Sequence, residues 1–120
     1  MLYLFGNIDK DTINLMFNLK KLSKMIGKKV IIRGNRSGVF FGILTEKNGQ
    51  EVKLTDCRRL WYWSGAASLH QLAFEGVKNP GDCKFTVTIP EIVILDAIEI
   101  IPCTDKAVEV ITNTREWRMR

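Results

Sequence analysis

The sequence has one histidine, His70, three prolines and three cysteines, and no apolar run in its 120 residues nears the ~18 needed to span a membrane. Cys57, Cys83 and Cys103 lie 26 and 20 residues apart. An odd count without paired spacing is no disulfide framework, and without a CxxC there is no start for a zinc site. One histidine excludes a histidine-rich metal centre. The thiols are expected to be reduced and mostly buried. The apolar opening Met1-Leu2-Tyr3-Leu4-Phe5 is too short for a signal-peptide core. It has no basic residue before it and no small-residue cleavage site after it. A soluble, intracellular chain is expected.

Catalytic patterns are also missing. No GxxxxGKS/T or GxGxxG phosphate loop occurs. Asp96 and Glu99, three apart on an expected strand, fall on opposite faces and make a poor acid/base pair. Cys57 beside Arg58 and Arg59 is a candidate for a lowered thiol pKa, but no histidine in the pattern stands ready to assist it. No catalytic residue, metal or cofactor is therefore expected.

What the chain has is basic charge, unevenly placed. The net charge is +5, yet residues 1–60 carry +7 and residues 61–120 carry −2. Lys20, Lys21, Lys24, Lys28, Lys29, Arg33 and Arg36 follow one another without an acidic residue between them. This asymmetry suits an anionic partner, a nucleic acid, nucleotide or phosphate-bearing surface, or else it is a solvated face that aids solubility.

Periodicity divides the chain into an N-terminal extension, 1–27, and a single α+β domain, 28–120. Residues 9–27 read as a basic amphipathic helix, with Asp9 or Asp11 as cap, Leu15, Leu19, Leu22 and Ile26 as the apolar stripe, and Gly27 as the end. The helix either lies on an acidic surface or, more often for such a pattern, docks its stripe on the domain itself or on a subunit neighbour. Met25 is a candidate start codon, so the domain need not depend on residues 1–24. Alternation then predicts strands over 30–33, 39–46 and 51–55, with Asn48-Gly49 as a tight hairpin turn and a bend at Gly42. Residues 58–63 extend that sheet, and 66–75 form a short helix. A strand follows over 84–88, and a longer run, Ile92 to Ile101, closes the sheet. Thr104 caps a last helix over about 105–117. The fold class is α+β: a small curled antiparallel sheet or open barrel, with an N-terminal basic amphipathic helix, a short middle helix and a C-terminal helix.

The segment from Arg58 to Leu69 concentrates the chemistry. Arg58 and Arg59 offer phosphate-binding forks, and Trp61, Tyr62 and Trp63 offer base-stacking faces. Alternation places Arg59, Trp61 and Trp63 on one face, and Arg58, Leu60 and Tyr62 on the other. Ser64 and Ser68 bracket a turn into a helix N-terminus that suits a phosphate. Arg33 and Arg36, flanking the first turn, either join this site or are plain surface charges. Any one of the aromatics is equally able to fill the core. Trp117, with Arg115, Arg118 and Arg120, repeats the aromatic-plus-basic pattern at a helix end.

Four stretches carry a resemblance: Val30 to Arg33, Gly38 to Gly42, the Arg58 to Leu69 motif, and Ile98 to Thr104. Over about residues 28–118 they resemble a small domain family widespread in tailed phages. That family is similar to viral sponge proteins that sequester cyclic dinucleotides and so silence CBASS antiphage signalling. The resemblance implies a phage-encoded protein of the host cytoplasm, a homo-oligomer, reported as a tetramer in those sponges. It implies a ligand such as 3′3′-cyclic GMP–AMP, bound without cleavage. On that reading Trp61, Tyr62 or Trp63 stacks a base, Arg58, Arg59 and Arg33 hold phosphate, and Ser64 and Ser68 bind a phosphate or a base edge. The alternative is a small phage nucleic-acid-binding or host-takeover module, with the Lys20–Arg36 stretch supplying the electrostatics.

Overall fold

The computed structural model describes residues 9–120, so the apolar Met1 to Phe5 opening lies outside the described residues. Helix α1, Lys10–Met25, starts where the Asp9 carboxylate accepts the Thr12 N–H at 2.7 Å. It ends at Met25, short of the expected 27, with Ile26 as its cap and Gly27 just beyond at a φ of +86° that ordinary residues avoid. None of its residues is buried, and only its last turn, through Leu22 and Met25, packs on the body.

Strands β1 (Lys29–Gly34), β2 (Val39–Asn48) and β3 (Glu51–Tyr62) form an antiparallel meander. The Asn48-Gly49 signal delivers its turn, with Gly49 at φ +61° between β2 and β3. Past α2 (Leu69–Glu75) come β4 (Lys84–Phe85), β5 (Ile89–Ile94), β6 (Ala97–Pro102) and α3 (Asp105–Asn113). The sheet order is β4-β3-β2-β1-β6, with β5 also on β3. No described helix is long and apolar enough to cross a membrane.

The sheet curls because β3 bends. Asp56 takes φ +47°, and the register of β2 on β3 shifts around it. Before the bend Val52 to Thr55 pair with β5, as does Cys57 just past it; further on, Leu60 and Tyr62 pair with β4. Gly42 lies opposite the bend, where a Cβ would stand 2.6 Å from the Cys57 Cβ, so the two backbones meet only because this residue is glycine.

Each face of the sheet buries its own cluster. Ile31, Phe41, Leu60 and Phe85 pack under α2 and α3 with Leu72, Ala107 and Ile111. Val30, Ile32, Phe40, Leu44, Leu54, Cys57 and Ile94 fill the concave face. The architecture is thus an α+β fold with a curled antiparallel sheet and helices at both ends of the chain.

Several expected elements change their bounds, among them the helix expected over 66–75, which starts only at Leu69, after its Ser68 cap. The single run Ile92 to Ile101 is two strands on opposite flanks of the sheet, because Asp96 anchors the crossing between them. Its carboxylate accepts the Arg36 N–H at 2.7 Å and the Ser37 N–H at 3.1 Å, and also the Ser37 hydroxyl. The strand over 84–88 shrinks to Lys84–Phe85 as the chain leaves toward Pro90. Helix α3 stops at Asn113 rather than 117, because Arg58 binds the carbonyls of Ile111 and Thr114, and Trp117 donates its N–H to the Phe85 carbonyl instead.

Candidate anion-binding groove

The second half of β3 carries the arginines and aromatics, and its alternation sorts them. Arg58 points to the helix side with Leu60 and is 4% exposed. Its guanidinium donates to four carbonyls: Thr86 at 2.9 Å, Ile111 at 3.0 Å, Thr114 at 2.8 Å and Phe85 at 3.1 Å. A cation holding the last carbonyls of α3 complements the negative end of that helix. Burial pulls its pKa down from the ordinary arginine value. The expected phosphate role of Arg58 is corrected: its forks are filled by main-chain oxygens.

Arg59 turns to the concave face. Its backbone N–H donates to the Thr86 hydroxyl at 2.8 Å, while its guanidinium lies 4.7 Å from the centre of the Phe40 ring. No carboxylate pairs with it among the described residues. It stands between two adjoining grooves. One, of about 240 Å³, has walls from Phe40, Cys57, Val87, Ile89 and Ile92. The other, of about 450 Å³, shares Phe40, Arg59 and Ile92 and adds Arg36, Ser37 and Asp96. Two arginines against one carboxylate leave this face net positive. Arg36, one of the two flanking the first turn, therefore joins Arg59.

Arg33 does not. It stands in register with Val39 and Glu99, one residue out of phase with the Ile32–Phe40–Arg59 row. Its guanidinium pairs with Glu99 at 3.1 Å. That removes it from the arginine cluster expected of it.

The three central aromatics separate as well. Trp61, on the face of Arg59 two residues further along, is 62% exposed, and Tyr62, on the opposite face, is 52% exposed. One base within one protomer cannot stack on both. Trp63 follows the end of β3 and packs against the helix-side core. Alternation fails there because the strand has ended, and Trp63 is corrected to a packing residue. The serines close local structure. Ser64 accepts from the Asn79 amide at 3.1 Å. Ser68 caps α2, accepting the Gln71 N–H at 3.1 Å, while the Gln71 side chain accepts the Ala67 N–H at 2.7 Å. That reciprocal cap occupies the helix end expected to take a phosphate.

Cys57 lines the smaller groove, but burial pushes its thiol up, with the Asp56 charge adding to the effect. The lowered pKa expected from its arginine neighbours is corrected, because desolvation outweighs every nearby charge and neither arginine acts on the thiol. Among the described residues no cluster of three or more His, Cys, Asp or Glu could hold a metal, and His70 is exposed on α2. Sequence reading missed Phe40, Ile92 and the Thr86–Ile89 segment. Their role arises from contacts across strands, for which a single strand carries no signal.

Residues 27–111 match the family described as Domain of unknown function (DUF6948), and the chain belongs to that family. No curated protein matches the chain. Among solved structures, a heptameric archaeal Sm protein, presented for its implications for the eukaryotic snRNP core, is similar. It is 17% identical, with a TM-score of 0.47, over 71% of this chain and 98% of its own.

Proposed function

We propose that the protein is a non-catalytic binder of a phosphate-bearing nucleotide, held at the groove around Arg59. The carrying observation is the Arg59 guanidinium, stacked on Phe40 and free of any carboxylate among the described residues. An unpaired fork of this kind binds phosphate oxygens in pairs. The apolar walls of the two grooves take the flat base, and Arg36 adds a second cation.

The finer reading is a cyclic dinucleotide, such as 3′3′-cyclic GMP–AMP, sequestered in the host cytoplasm to block CBASS antiphage defence. The larger groove lies within the ~300–1,000 Å³ of small-ligand sites and the smaller falls below it, which suits half of a dinucleotide per protomer. A ligand with two phosphates and two bases is matched by two such grooves in a symmetric homo-oligomer.

The test is capture and release: incubation with a panel of cyclic dinucleotides, removal of free ligand, heat denaturation and chromatography of what is released. Intact ligand in near-stoichiometric amount supports the reading, and altered or absent ligand overturns it. Arg59→Ala should weaken capture about ten- to hundredfold, the worth of a charged hydrogen bond or two. The exposed Lys10, Lys20, Lys21 and Lys24 along α1 favour a second reading, a single-stranded nucleic acid. That binding would fall steeply with salt, whereas capture of a compact ligand would not.

A further inference from the structure

The chain beyond α3 returns to the sheet. Glu116 pairs in parallel with Phe85, and the Trp117 N–H donates to the Phe85 carbonyl at 2.8 Å, so the C-terminal segment lies along the outer edge of β4. Three backbones, β3, β4 and this segment, thus run side by side at one end of the sheet. Each brings a long side chain to the same place. Tyr62 of β3 stands in register with Lys84 of β4, and the Lys84 ammonium lies 5.5 Å from the centre of the Trp117 ring. The lysine therefore has an aromatic neighbour on each flanking strand.

These two rings do not fill the core. Tyr62 is 52% exposed and Trp117 is 49% exposed, while Phe85 between their strands is fully buried. Open aromatic rings grouped on a surface mark a place of contact. The charge beside them is mostly of one sign. Lys84, Arg115, Arg118 and Arg120 outnumber the acids of the same two segments, Asp82 and Glu116. Glu116 is taken up by Arg118 at 3.1 Å, and Lys84, Arg115 and Arg120 pair with no carboxylate among the described residues. Stacking rings set among unpaired cations match a base and its phosphate together. The spacing selects the form of the partner. Strands lie ~4.8 Å apart, so β3 and the C-terminal segment are about 10 Å apart. Neighbouring bases of a duplex strand are ~3.4 Å apart, so bases lying on both rings are unstacked from each other, as a single strand allows.

We propose that Tyr62, Lys84 and Trp117 form a base-stacking platform for single-stranded nucleic acid, with Trp117 its main stacking face and Lys84 and Arg115 its phosphate contacts. The proposal rests on the single-stranded reading above, but it needs neither the Arg59 groove nor the lysines of α1. It gives the C-terminal segment a task besides covering the edge of β4: it delivers the indole to the lysine.

The experiment is a binding titration of the full-length chain with fluorescent oligothymidylate and oligouridylate of about ten nucleotides, a site size usual for such surfaces. The natural chain is compared with Trp117→Ala, Trp117→Phe, Lys84→Gln and Arg59→Ala, each checked for the urea midpoint of its fold. Trp117→Ala should weaken binding about tenfold, the worth of one stacked base, and Trp117→Phe should recover most of it. Lys84→Gln should weaken binding of both oligonucleotides alike and lower the salt slope by about one. Arg59→Ala should leave the affinity unchanged. Absence of binding by the natural chain would overturn the single-stranded reading and the platform with it. Binding that survives Trp117→Ala in full, or that Trp117→Phe restores no better than alanine, would overturn the platform alone. So would an Arg59→Ala loss as large as that of Trp117→Ala, because the strand would then lie in the groove. If Trp117→Ala does not fold, an unchanged salt slope in Lys84→Gln overturns the proposal by itself.

Discussion

Replacing Arg58 with methionine keeps the aliphatic stem and removes four hydrogen bonds at once. Two of the abandoned carbonyls keep another donor. Phe85 still accepts the Trp117 N–H at 2.8 Å, and Ile111 the Thr114 N–H at 3.3 Å. The carbonyls of Thr86 and Thr114 accept from Arg58 alone among the described donors. An orphaned buried carbonyl costs ~1–3 kcal/mol; with the buried Thr114 at the upper end and the part-buried Thr86 at the lower, the two together cost about 4 kcal/mol. At ~4 °C per kcal/mol for a domain of this size, Arg58→Met should lower Tm by about 15 °C. Arg59→Met loses only a half-exposed stack on Phe40, ~0.5–1 kcal/mol, and should melt within a few degrees of the natural protein. Thermal and urea unfolding of both variants, beside ligand capture, separate the roles: Arg58→Met should be a stability variant, Arg59→Met a binding variant. An Arg58→Met protein as stable as the natural one, yet unable to capture ligand, would refute the structural role.

Gly42→Ala places a Cβ 2.6 Å from the Cys57 Cβ and 3.0 Å from its Cα, so β2 and β3 must separate. Urea unfolding should show a loss of ~1–3 kcal/mol, and an unchanged midpoint would mean that the bend relaxes freely. Hydrogen bonds from the Ser37 hydroxyl, then from the Arg36 and Ser37 amides, hold the Asp96 carboxyl below the usual carboxylate range. Its contribution is therefore present above the ordinary pKa of ~3.9 and lost as pH falls through the lowered value. Asp96→Asn should be less stable at neutral pH, by a gap that closes in acid; a gap constant with pH would assign the effect to something other than the charge. Burial pushes the Cys103 thiol up to about 12 and raises that of Cys57. Neither should react with iodoacetamide at neutral pH until the protein is unfolded, and fast labelling of Cys57 in the folded state would overturn that assignment.

Local signals made much of the fold legible. Asn48-Gly49 encodes its turn because positive φ is a property of a residue and its neighbour, not of the distant fold. Ser68 and Thr104 sit before helices because a side-chain oxygen within three residues satisfies a free N–H; Thr104 accepts from Ala107 at 3.2 Å. The division of Ile92 to Ile101 into two strands is not legible in this way. Both halves are rich in isoleucine, and what separates them is the hold of Asp96 on Arg36 and Ser37, some sixty residues away in sequence.

The same distinction decides which arginine of the pair stays open to the surface. In sequence Arg58 and Arg59 are equivalent: adjacent, basic and followed by the same aromatics. Alternation correctly puts them on opposite faces, but it does not say which face is covered. That depends on Ile111 and Thr114, 53 and 56 residues further on, arriving with α3 over one side. Once α3 is seated, its terminal carbonyls draw in the nearer guanidinium, and the other arginine is left on the face that α2 and α3 do not cover. The basic-aromatic motif therefore serves two purposes at once. Arg58 and Trp63 close the helix-side core, while Arg59 and Trp61 are turned outward by the same strand. On the proposed function a ligand would meet Arg59, while Arg58 ties the end of α3 to the strand that presents it.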